Sequence, residues 1–164
     1  MKPRGTLARL SILEEQARQR AAQVEARKEQ QIEAAFSRLS EADLDTLRDW
    51  EQARETGGAA WEAACHADEA LDLPSDHPAK DAVEEWARAL YVTPDGTPYP
   101  TAAEPEVFAG YFEDRARRGD ELRLSLDAGA ALPDGVDRAA AVRVVGWYVA
   151  TCRYDAAMCQ ALRG

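Results

Sequence analysis

Four side chains in one stretch, Glu62, Cys65, His66 and Glu69, fall at i, i+3, i+4 and i+7, positions that share a helix face. With His77 just beyond, a carboxylate, a thiolate and an imidazole could converge on a metal ion. Zinc sites add a second ligand pair at a recognisable spacing, and di-iron bundles place Glu-x-x-His on each of two helices with two further Glu. Neither pattern is present, because Glu62 to His66 is a step of four and no other segment repeats it. The expectation is no metal and no cofactor, with Cys65 filling core space and His66 at the surface.

Asp155 is the second residue whose setting suggests chemistry. It falls on the apolar arc of the segment Arg138 to Arg163, beside Tyr148 and Thr151. An unpaired buried carboxylate is costly or takes up a proton, so Asp155 is expected to pair with an arginine and to be structural. No second catalytic group can be placed beside it. The chain also lacks a phosphate-binding glycine loop, a Ser/His/Asp order, a catalytic Cys/His pair and Gly-x-Ser-x-Gly. No enzyme is expected.

Cations form two groups, Arg9, Arg18, Arg20, Arg27 and Lys28 near the start and Arg115, Arg117 and Arg118 later. Either could face phosphates. The second group also suits the last turn of a helix ending at Gly119, where cations meet the negative end of the dipole.

Composition limits the classes further. The net charge of −10 is unevenly distributed: residues 1–39 hold eight basic and five acidic side chains, residues 40–114 hold four and nineteen, and residues 115–164 hold eight and six. The acidic middle repels nucleic acid and favours solubility or basic protein surfaces. Three cysteines show no paired spacing, which argues against a disulfide framework and for the cytoplasm. Cys152 and Cys159 stand about 10.5 Å apart along one helix, too far to join. No secretory signal is read near Leu7 to Leu13, which Arg9 breaks and Glu14 and Glu15 follow.

The elements that would position these groups are helices. Arg138 to Arg163, opened by Asp137 as N-cap, is apolar over most of its circumference and leaves only an arc of Arg143, Gly146, Arg153 and Gln160 for water. Charges interrupt it well short of a membrane span, so it is read as the buried helix around which the others pack. Ser40 with Asp43 resembles a capping box for a helix over 41–55 that buries Leu44, Leu47 and Trp50. Gly57 and Gly58 end it, and a third helix runs over 59–71 with Trp61 and Ala64 inward. That helix lacks the Arg, Lys, Asn or Gln a recognition helix needs, which excludes DNA reading by a helix-turn-helix. Val83, Trp86 and Leu90 mark a short helix, and residues 92–105 form a loop with Pro94, Pro98, Pro100 and Pro105 and the candidate anchor Tyr99. Thr101 with Glu104 resembles a second capping box, before a helix with Val107, Phe108, Tyr111 and Phe112. Residues 120–132 alternate Leu122, Leu124 and Leu126 as a strand would, yet a lone strand has nothing to pair with, and helix is preferred. Gly110 and Gly146, both inside helices, suggest a close crossing between those two helices.

Residues 1–39 differ in kind. Leu7, Leu10, Leu13, Ala17, Ala21, Val24, Lys28, Ile32, Ala35 and Leu39 step by threes and fours along a stretch rich in good helix formers. So thin a seam predicts an arm outside the core that lies on a partner or a second copy.

The expected protein is all-α: an irregular bundle of about five to six helices around a buried C-terminal helix (residues 40–164), with a long helical arm (residues 1–39). The expected function is a non-enzymatic structural or adaptor subunit of a larger assembly. Its arm would self-associate or dock a protein partner through Leu10, Leu13, Val24, Ile32 and Leu39, with no membrane involved. The alternatives are a small subunit of a nucleoprotein complex that meets phosphates through the two cation groups and, behind it, a metal-dependent enzyme.

Overall fold

In the computed structural model of the chain, residues 4–73 and 105–161 are described. The helix expected around Val83 to Leu90, the proline-rich loop with Tyr99, the Thr101–Glu104 cap and His77 lie outside them. The described residues form five helices and no strand: α1 (Arg4–Phe36), α2 (Glu41–Thr56), α3 (Gly58–Ala70), α4 (Pro105–Asp127) and α5 (Arg138–Ala161). The protein is all-α.

Local chemistry sets most of the helix ends. Ser40 Oγ accepts the Asp43 N–H at 3.1 Å and opens α2. The Asp43 carboxylate does not complete a capping box; it is buried and turned to Arg153 on α5. Gly57 and Gly58, at φ 63° and 82°, supply the left-handed backbone that separates α2 from α3. Asp137 caps α5 by accepting the Ala140 N–H at 3.0 Å. Arg138 then reaches back to the end of α4 and donates to the carbonyls of Leu126 and Ala130 at 2.6 and 2.8 Å. The Leu126 carbonyl, which also accepts the Gly129 N–H at 3.1 Å, and the Ala130 carbonyl in the following turn thus tie the end of α4 to α5.

Helix α4 does not stop at Gly119. It continues to Asp127, so the Leu122–Leu126 stretch is helical, with Leu126 buried and Leu124 exposed. The reason is packing. A Cβ at Gly119 would lie 2.6 Å from Val149 Cγ2 and 3.0 Å from Tyr148 Cδ1, so a glycine is needed for α4 to lie against α5. The close crossing expected at Gly110 and Gly146 is not there: a Cβ at either position meets nothing within 4 Å.

Helix α5 is the hub, and every other described helix packs on it. Its buried side chains meet Ala64 and Ala67 of α3 and Ala116 and Leu126 of α4 in one cluster. Ala156 and Cys159 meet Ala109, Tyr111 and Phe112 of α4 in a second. The arc that the sequence leaves to water is bridged instead. Arg143 bonds Asp49 of α2, Arg153 bonds Asp43 of α2 and Asp120 of α4, and Gln160 bonds Glu113 of α4 and Arg38. Among the described residues no helix is long and apolar enough to cross a membrane.

Candidate functional site

The five seam residues expected to meet a partner, Leu10, Leu13, Val24 and Ile32 of α1 and Leu39 just past its end, divide into two groups. Val24 packs against the cluster of Ala109, Tyr111, Phe112, Ala156 and Cys159. Ile32 and Leu39, with buried Ala35, cover Ala157, Met158 and Tyr154. From Val24 onward the seam is therefore used by the chain's own α5, and the expectation that residues 1–39 lie wholly outside the domain is corrected there. Alanines at 35, 156 and 157 allow this close seat, a contact invisible in the periodicity alone. Residues 8–23 are all exposed, with Leu10 at 50% and Leu13 at 60% of full accessibility.

These two leucines continue the packed face. At about 100° per residue from Val24, Leu10, Leu13, Ala17 and Ala21 fall within about 60° of the stripe that holds Gln31 and Ala35. The helix thus carries one apolar stripe whose lower half is covered and whose upper half is bare. Ile12, also exposed, points away from that stripe.

The cation groups are not built as one phosphate cradle. Arg115 lies between two rings, donating to the Tyr148 hydroxyl at 2.8 Å and the Tyr111 hydroxyl at 2.7 Å. Burial opposes its charge, and the hydrogen bond to Tyr148 raises its pKa above the ordinary value. Arg117 bridges Asp114 and Glu121 on its own helix at 2.6 and 2.8 Å, and Arg118 is half-buried and engaged. Because α4 runs past Gly119, all three sit mid-helix, not at a C-terminal turn. On α1, Arg9, Arg18, Arg20 and Arg27 are exposed and Lys28 is half-buried.

Among the described residues no group of three His, Cys, Asp or Glu side chains is placed to hold a metal ion. Glu62, Cys65, His66 and Glu69 are all exposed on α3, so Cys65 is not the core filler expected of it.

The cleft where α2, α3, α4 and α5 meet brings together residues that no spacing in the sequence links. It encloses about 340 Å³ and is lined by Trp50, Trp61, Trp147 and Phe112, with Asp68, Arg115 and Asp155 as charged groups. Trp61 and Trp147 pack with ring centres 5.9 Å apart. Burial pushes the Tyr148 hydroxyl up to about 12 and the Cys152 thiol up to about 11. Both stay protonated at neutral pH, so neither is poised as base or nucleophile. Asp155 is half-buried and lines this cleft and a second groove.

That groove runs between α2 and α5 and encloses about 700 Å³. Phe36, Leu44, Leu47, Trp50 and Tyr154 make its walls, with Arg48 and Glu51 at the rim. The α2 residues expected in the core, Leu44, Leu47 and Trp50, are only half-buried because they face this opening.

No family model, no curated protein and no solved structure matches this chain.

Proposed function

We propose that this protein is a non-enzymatic structural or adaptor subunit that docks through the bare half of α1. The observation that carries this reading is the single apolar stripe of α1, covered from Val24 to Ala35 and exposed at Leu10 and Leu13. A helix anchored at one end presents its free stripe in a fixed direction, which limits the ordering entropy lost on docking. Helix-in-groove recognition uses such anchors at i, i+3 and i+7, here Leu10, Leu13 and Ala17. The internal engagement of Arg115 and Arg117 weighs against phosphate contact by the second cation group.

The test compares the unaltered chain with Leu10→Asp/Leu13→Asp in native complexes isolated at low and high salt. Loss of association in the double variant, with unchanged circular dichroism and little salt dependence in the unaltered chain, supports the reading. Full retention of every association by the double variant overturns it. Nucleic acid that co-purifies and falls away steeply with salt favours the nucleoprotein reading through Arg9, Arg18, Arg20 and Arg27.

A further inference from the structure

We propose that the groove between α2 and α5 receives the Leu10–Leu13 face of α1 from a second copy of this chain. The proposal rests on the docking reading of α1 above and names its partner and its seat.

The two surfaces complement one another in shape and polarity. The arm offers bulky apolar side chains one turn apart, and the groove offers an apolar trough walled by Phe36, Leu44, Leu47 and Trp50. Its charges also match. On the α1 wheel, Arg9 and Arg20 border one edge of the stripe, whereas α2 carries six acidic and two basic residues. Asp43, Asp49 and Asp45 are engaged by Arg153, Arg143 and Arg48, which leaves exposed Glu41, Glu51 and Glu55 along α2, with Glu51 and the paired Arg48 on the groove itself.

The chain's own arm cannot fill its own groove. Phe36 lines the groove and is the last residue of α1, and Leu13 lies 23 residues earlier on the same unbroken helix. At 1.5 Å per residue that is about 35 Å away. An α1 arm that fills the groove must therefore come from another molecule, and a second copy supplies an arm and a groove in return. Two such contacts related by a two-fold axis close the assembly.

Light scattering on the full chain after size separation, over roughly 1–100 µM, tests this. The expected mass is that of two chains. Leu10→Asp/Leu13→Asp, which alters exposed positions, and Leu47→Glu, in the groove, should each give the mass of one chain. Mixing the two variants should restore the two-chain mass, since one intact arm then meets one intact groove. Should Leu47→Glu fail to fold, Glu51→Arg at the exposed rim should weaken the dimer about tenfold.

A one-chain mass for the unaltered protein overturns the proposal and leaves docking to other partners standing. A dimer lost in the arm variant but unchanged in both groove variants overturns it too, since the arms then pair with each other. A dimer that the arm variant retains also overturns the proposal, since its contact then lies outside Leu10 and Leu13, whereas the docking reading falls only if every association is retained.

Discussion

Gly119 of α4 lies against Val149 of α5 so closely that an added Cβ would stand 2.6 Å from Val149 Cγ2. Val149 is fully buried and cannot move aside freely. This contact sets how near the two central helices approach.

Gly119→Ala should therefore lower stability by about 1–2 kcal/mol, the strain of overpacking outweighing the gain in helix propensity. Gly146→Ala, where a Cβ meets nothing within 4 Å, should raise it by up to about 1 kcal/mol. Thermal melts of the two variants, which should move in opposite directions, check both.

Arg153 joins three helices by bonding Asp43 at 2.8 Å and also Asp120. Arg153→Met leaves buried Asp43 without that cation and Asp120 with only the 3.5 Å contact to Arg123. Since Arg153 is 40% exposed, solvent moderates the effect, and a loss of roughly 1–3 kcal/mol in urea unfolding is expected. Adding Asp43→Asn and Asp120→Asn should recover part of it.

Asp49 accepts two hydrogen bonds from Arg143, at 2.9 and 2.7 Å, and one from Trp147 Nε1 at 2.9 Å. The Arg143 bonds hold its carboxyl below the ordinary value of 3.8, with Trp147 adding to them and burial opposing. A carboxyl lowered on folding stabilises the fold above its unfolded value, and that contribution is lost as pH falls through the folded value. Asp49→Asn should be less stable than the parent near neutrality, and the gap should close in acid below pH 3.8. Melting temperatures measured across that range decide it.

Burial pushes the Cys152 thiol up to about 11 and raises that of Cys159, whereas Cys65 is exposed. Iodoacetamide on the native protein at neutral pH should alkylate Cys65 first. Peptide mass analysis showing Cys152 labelled at a comparable rate would contradict the packing around it.

Removing residues 1–23 should leave the melting temperature nearly unchanged, because residues 8–23 are exposed throughout. Removing residues 1–39 uncovers Ala157 and Met158 and should lower it by roughly 5–15 °C. Paired melts of the two truncations test where the arm meets the domain.

The sequence by itself determined the helical class, the caps at Ser40 and Asp137, the break at Gly57 and Gly58, and the central place of the last helix. Each follows from local chemistry: side-chain acceptors near open N–H groups, left-handed backbone at glycine, and periodicity along a single element. The exposed stripe at Leu10 and Leu13 was legible for the same reason. What tertiary structure alone decided is which faces meet. Gly119, not Gly110 or Gly146, became the close crossing because Val149 and Tyr148 lie opposite it. Val24, Ile32 and Leu39 left the exposed stripe because alanines of α4 and α5 receive them. Arg115 was drawn between two tyrosines, and Trp50, Trp61 and Trp147 came to one cleft, although no spacing links them. A helical wheel states which side of an element is apolar; the partner on that side is chosen by shape and charge far away in the chain.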